Sequence, residues 1–153
     1  MTENNARQPS LSGNAGRDAA EQPRVLIVDD EAAILFAYRR LIEGSGYVVD
    51  ACETLVEAVE HIMTYPYFAV ITDLRLTGSD AADGLAVLTY VRARQPGAKV
   101  IVMTGHDGEE TTRAARALDA SFYFKKPLEP SVILEALRHL REDEKAGDQR
   151  VAA

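Results

Sequence analysis

The sequence predicts an α/β fold of type (βα)5: an open, doubly wound parallel five-stranded sheet with helices on both faces. Three observations predict it. Five short runs are continuously apolar instead of alternating, as strands buried on both faces are. Each is followed by a stretch whose apolar residues recur at helical spacing. Five such units are too few to close an eight-stranded barrel, so the sheet stays open.

The elements follow in order along the chain. Val25–Val28 is a β-branched run and reads as a buried strand. Residues 31–43 carry Ile34, Tyr38, Leu41 and Ile42 on one helical face, with Gly44 placed to end the helix. Val48–Ala51 is the second strand. Thr54 and Glu57 form a capping-box pair, and behind them Leu55, Ala58, Val59 and Ile62 make an i, i+3, i+4, i+7 stripe. Phe68–Thr72 is the third strand. A polar stretch, 74–83, leads into a helix with Leu85, Leu88 and Val91, stopped by Pro96-Gly97. Val100–Met103 is the fourth strand. Asp107 and Glu110 suggest a second capping box, opening a helix to about 118. Phe122–Phe124 is the fifth strand. Pro130 suits a first helical turn, and Ile133, Ala136, Leu137 and Leu140 repeat the stripe.

The 153 residues are one domain's length. Residues 1–22 hold Met1 and Leu11 among polar and charged residues, too little apolar surface to offset ordering, and are expected to be a disordered N-terminal tail. The folded unit is expected over 23–141, with 142–153 a frayed C-terminal tail. Seventeen basic against 24 acidic residues give a net charge of −7, which argues against general phosphate-backbone binding. Cys52 alone makes no internal disulfide and no cysteine-only zinc site. No apolar run is long enough for a membrane span, and the N-terminus lacks the layout of a signal peptide. A cytoplasmic setting is the expectation.

In an open parallel sheet the site lies at the carboxyl ends of the strands, near the switch in strand order. Strand one ends in Asp29-Asp30, strand three in Asp73, strand four in Thr104-Gly105 and strand five in Lys125-Lys126-Pro127. Three carboxylates, a hydroxyl and a lysine converge on one corner. Unneutralised carboxylates so close repel one another. A hard divalent cation relieves that repulsion, and Mg²⁺ completes its oxygen shell with water and phosphoryl oxygens. The corner suits phosphoryl chemistry, with a carboxylate as nucleophile and a lysine and a hydroxyl stabilising the transferred group.

VLIVDDE (25–31), VITDL (70–74), VIVMTG (100–105) and FYFKKP (122–127) together resemble the receiver domain of two-component response regulators, over about 24–140. The resemblance implies the flavodoxin-like strand order 2-1-3-4-5 and a stand-alone, single-domain signalling module. It implies Asp73 as phosphoacceptor. Mg²⁺ (or Mn²⁺) would be held by Asp73, by the side chain of Asp30, by Asp29 mainly through water, and by the backbone carbonyl of Arg75. Thr104 and Lys126 would meet the phosphoryl group, and Lys126–Pro127 would be a cis peptide bond. Thr104 and Tyr123 would form the switch pair, and Arg75 and His106 would modulate hydrolysis of the phosphoryl group. The implied partners are a sensor histidine kinase or histidine phosphotransfer protein and a downstream target protein. No nucleic acid or membrane is expected, nor a DNA-binding output after 141. The chain would be a monomer or a phosphorylation-dependent dimer.

The sequence departs from that pattern in three places, one of them the bulky basic side chains of Arg75 and His106 at the modulating positions. The loop after Asp73, RLTGSDAADG (75–84), is longer than usual, lacks a proline and carries Asp80 and Asp83. It is expected to be a tolerated surface insertion. Asp119 stands where the family has Gly before strand five, and Asp tolerates left-handed backbone better than most residues.

Other readings fit less well. A dehalogenase-type phosphatase needs a second Asp two residues after its nucleophile, but Glu31 follows Asp29 and Arg75 follows Asp73 at that spacing. A phosphorylation-independent, receiver-like scaffold is the alternative that the unusual loop keeps open. His61 and His139 read as helix-surface residues, Cys52 as inert, and Arg39, Arg40, Arg92 and Arg94 as solvated helix faces.

The helix over 109–118 offers Ala114, Ala115 and Ala117 to the core and one large aliphatic, Leu118. Methyl groups bury less area than Leu and Ile, so this helix should be the least stable. Native-state amide exchange is expected to show weaker protection here than in the last helix; equal protection would overturn that expectation.

Overall fold

The computed structural model describes residues 22–76, 82–105 and 109–151. Its ten elements alternate: β1 Arg24–Val28, α1 Ala32–Gly44, β2 Val48–Cys52, α2 Leu55–Thr64, β3 Ala69–Asp73, α3 Ala82–Arg94, β4 Lys99–Thr104, α4 Glu109–Ala117, β5 Phe122–Lys125 and α5 Pro130–Val151. The strands form one sheet in the order β2-β1-β3-β4-β5, parallel at every pairing. Position in that order explains burial. The central strands β1, β3 and β4 are buried almost end to end, whereas the edges β2 and β5 are only partly covered.

Alternate residues along each strand feed two cores. Val25, Ile27, Ile71, Ile101 and Met103 pack under α1 and α5, against Leu35, Tyr38, Ile42, Ile133 and Leu137. Leu26, Val28, Val70, Val100 and Val102 pack under α2, α3 and α4, against Ala58, Ile62, Leu88, Val91 and Ala115. The stripes read from the sequence are the buried faces. Among the described residues of α4, Ala115 is the one buried in that core, in keeping with a helix anchored by small side chains.

Several boundaries differ from the sequence reading, for local reasons. Gly44 does end α1 as its last residue, but the left-handed turn that follows falls on Gly46, at φ 95°. Leu74 and Leu76, inside the stretch read as polar, are fully buried. α5 continues to Val151, past the expected fray at 141. Glu142, Glu144, Lys145 and Ala146 are good helix formers, and His139 faces Asp143 one turn on at 3.8 Å. Thr54 does cap α2, accepting the Glu57 N–H at 3.2 Å. Asp107 of the Asp107–Glu110 box, like the 1–21 tail and most of the long loop, lies outside the described residues.

Arg92 is not a solvated helix residue. Its guanidinium donates to the carbonyls of Leu118 (2.8 Å), Asp119 (2.6 Å), Ala98 (3.0 Å) and Pro96 (3.3 Å). One planar fork thus ties the end of α3 to the end of α4. Asp119 takes the left-handed conformation its position demands, φ 63°, and Arg92 holds its carbonyl.

Gly84 is the tightest point of the fold. A Cβ built there would lie 2.2 Å from Leu74 Cα and 2.5 Å from the Asp73 carbonyl oxygen, and the Gly84 N–H donates to Leu74 O at 3.2 Å. The first turn of α3 rests directly on the end of β3, on backbone that cannot swing aside. Gly84→Ala is therefore expected to cost about 3 kcal/mol of stability, the upper end of ordinary overpacking, read as a lower urea midpoint. A midpoint within error of wild type would show that α3 can lift away.

Candidate functional site

Register builds the acidic corner. Val28 pairs with Thr72, so the next residue of each strand, Asp29 and Asp73, leaves the sheet at the same level. Met103 pairs with Asp73 and Lys125 with Thr104, which carries Thr104 and Lys126 to the same end. Asp29 and Thr104 are fully buried and Asp73 is 5% exposed.

The side chains close on Lys126. Its ammonium donates to Asp29 Oδ2 at 2.6 Å and to Asp73 Oδ2 at 2.7 Å, with Glu31 Oε1 at 3.7 Å. The other oxygen of each aspartate is held by a backbone N–H two residues on: Glu31 N–H to Asp29 Oδ1 at 2.9 Å and Arg75 N–H to Asp73 Oδ1 at 3.0 Å. Both carboxylates are thereby fixed in orientation. Lys126 is fixed at its backbone, its N–H donating to Thr104 O at 2.8 Å. The Lys126–Pro127 bond is cis.

The electrostatics follow from burial. Desolvation pushes the Asp29 carboxyl above its usual range, and the bonds from Lys126 and from the Glu31 N–H offset that only in part. Burial opposes the Lys126 charge too, but its bonds to Asp29 and Asp73 outweigh burial and hold the ammonium well above its ordinary pKa. Lys126 is therefore charged at neutral pH.

Carboxylate oxygens of Asp29, Asp30 and Glu31 lie within 4.8 Å of one another. Asp29 is buried, and the other two open to solvent. An all-oxygen set, half open to water, fits a hard divalent cation such as Mg²⁺. The grouping differs from the one read in the sequence. Glu31 joins it, having been quoted in VDDE and given no role. Asp73 is joined to Asp29 through Lys126, which bonds an oxygen of each.

The remaining residues fall as follows. Thr104 stands at the end of the strand beside Asp73. Arg75 is exposed and meets Asp73 through its N–H. Tyr123 lies away from the corner, toward α4, its hydroxyl 3.1 Å from Thr112 Oγ1. His106 lies outside the described residues. Cys52 is buried, and burial pushes its thiol up to about 12, so it is inert.

A raised Asp29 pKa makes the ion-free site a stability cost at neutral pH. The folded state holds the Asp29 proton more tightly than the unfolded chain does, so this group's contribution falls as pH rises above about 3.8. Asp29→Asn in chelator-treated protein should escape that fall. Its unfolding free energy relative to wild type should improve with pH, by about 1.4 kcal/mol for each unit of elevation. Urea denaturation at pH 4 and pH 7 tests it; a difference that does not change with pH would show Asp29 unperturbed.

Comparison with known proteins agrees with this geometry. The family model described as "Response regulator receiver domain" matches residues 25–138. The acid tolerance regulatory protein ActR of Rhizobium meliloti is 36% identical over 113 residues, 74% of this chain and 57% of that protein. The alginate biosynthesis transcriptional regulatory protein AlgB of Pseudomonas putida is 35% identical over 71% of this chain and 24% of its own length. The chain thus spans only part of the curated relatives it matches. Among solved structures, a CheY-like receiver domain protein from Methanospirillum hungatei superposes with a TM-score of 0.75 at 30% identity, covering 82% of this chain and 98% of that one. A response regulator from Burkholderia pseudomallei, solved with a phosphorylated aspartic acid, a calcium ion and citrate, gives 0.69 at 25% identity, covering 83% and 73%. Strand order, the acidic corner at the strand ends and the family match over three-quarters of the sequence agree, and the chain belongs to the response regulator receiver domain family.

Proposed function

We propose that this chain is a phosphoacceptor module of a two-component or phosphorelay system, and that Asp73 is the acceptor. The observation that carries the reading is the setting of Asp73. It is a nearly buried carboxylate at a strand end, held at one oxygen by the Arg75 N–H and at the other by the Lys126 ammonium. A Burkholderia pseudomallei response regulator that superposes on this chain was solved with a phosphorylated aspartic acid.

An Asp73 oxygen attacks the phosphorus of a phosphohistidine on a sensor kinase or histidine phosphotransfer protein. The O–P bond forms, the P–N bond breaks, and its electron pair returns to the imidazole. Lys126 then pairs with phosphoryl oxygens in place of Asp73 Oδ2. Thr104 donates one further hydrogen bond to the phosphoryl group. Asp29, Asp30 and Glu31 would hold Mg²⁺, which neutralises charge on the phosphoryl oxygens when bound. The chain takes up one phosphoryl group and turns over no separate substrate. It works in the cytoplasm; no described helix is long and apolar enough to cross a membrane. The altered surface around Tyr123 and Thr112 passes the signal to a downstream protein.

Incubation with acetyl phosphate, with and without Mg²⁺, followed by intact mass, tests the proposal. One Mg²⁺-dependent phosphoryl gain is expected, absent in Asp73→Asn. A folded wild type that gains nothing would favour a phosphorylation-independent scaffold.

A further inference from the structure

We infer that Tyr38 is a positioning residue for Lys126: its hydroxyl anchors, at Leu128, the loop that aims the lysine at Asp73. The inference rests on reading Asp73 as the phosphoacceptor.

Lys126 leaves the sheet at the end of β5 and enters a loop, 126–129, that reaches α5 at Pro130. Upstream the loop is fixed by the Lys126 N–H on Thr104 O. Downstream it has little backbone to hold it, because Pro127 and Pro130 carry no N–H. The Leu128 carbonyl accepts the Tyr38 hydroxyl at 2.9 Å, a bond spanning 90 positions of sequence. Tyr38 is 3% exposed, packed on the inner face of α1. Burial raises its pKa, so the phenol is a protonated donor at neutral pH.

The loop does not rest on packing alone. A cleft of about 530 Å³ opens between it and α1, lined by Ile34, Tyr38, Lys126, Pro127 and Leu128. Beside such a gap the Tyr38 hydroxyl adds a directional bond to the packing of Leu128 on the core. Lys126 is two residues away, and its ammonium must meet two buried oxygens at 2.6 and 2.7 Å. A small loop displacement therefore becomes a misplaced charge at the acceptor. A Leu or Phe at position 38 would fill the same core but could not hold the loop.

Tyr38→Phe in the full chain tests this, since it keeps the ring and removes the hydroxyl. The first readout is the NMR signal of the Lys126 side-chain nitrogen, assigned by its loss in Lys126→Ala. The signal should shift in Tyr38→Phe and stay in place in Phe36→Ala, an exposed change on the same helix. An unmoved signal in Tyr38→Phe overturns the inference. The second is the rate of Asp73 phosphorylation by acetyl phosphate with Mg²⁺, per folded molecule. It should fall roughly threefold to tenfold, a modest loss for a sub-ångström misplacement. In a Lys126→Ala background the same substitution should change the rate by less than about 1.5-fold. Equal losses in both backgrounds would mean a merely structural role and would overturn the inference. A wild type that takes up no phosphoryl group would sink the reading of Asp73, and the Lys126 signal would still decide the role of Tyr38.

Discussion

One ammonium group organises the end of the sheet. Asp29 and Asp73 are carried to the same level by the pairing of β1 with β3, and both are buried. Two buried carboxylates side by side destabilise each other and the fold. Lys126 resolves this by reaching from the end of β5 past β4 to both of them. Its long aliphatic stem makes that reach possible while the charged head sits among oxygens. The arrangement leaves Asp30 and Glu31 as further negative charge at the open rim, so the corner still attracts a cation and an incoming phosphoryl group.

That precision depends on how the loops are held. Receiver loops join strong elements, yet they carry few regular backbone bonds of their own. Here single side chains supply the missing partners. Tyr38 holds the carbonyl of Leu128. Arg92 gathers four carbonyls where α3 and α4 end. Gln95 donates to Ile62 O and Tyr65 O and accepts the Tyr67 N–H, fixing the joint before β3. Among the described residues no buried side-chain nitrogen or oxygen lacks a partner, so the ties at these joints are fully used. The joint near Asp119 shows why this matters. Its left-handed backbone costs energy without glycine, and the Arg92 bond to its carbonyl offsets part of that cost.

Legibility in the sequence tracked the range of the interaction. Continuous apolar runs and i, i+3, i+4, i+7 stripes are local signals, and they located every strand to within a residue, whereas the last helix runs to Val151, past the expected fray at 141. Pro130 and Thr54 act within one turn and were readable as helix starts. Glu31 was passed over because an acidic residue next to an Asp pair also suits an ordinary helix start. Arg92 was misread because a guanidinium among polar helix residues gives no sign of the carbonyls it meets across 26 positions. Leu74 and Leu76 were lost in a polar stretch because two leucines have no period. Gly84 was visible only as the end of a loop pattern; that α3 would press it onto the Asp73 carbonyl is a matter of packing.

The sequence by itself determined the fold class and the set of residues at the strand ends, because hydrophobic period is a short-range pattern; the strand order was implied by the family resemblance. The choice of Lys126 over Lys125 came from the family resemblance, in which the lysine directly precedes the proline. Tertiary structure alone decided which oxygens the lysine bridges, that burial raises the Asp29 pKa, and that Glu31 joins Asp29 and Asp30 in one acidic cluster. It alone joined Tyr38 to Leu128. These depend on distances between residues far apart in the chain and on the exclusion of water, and neither exists until the sheet is assembled and its helices are packed.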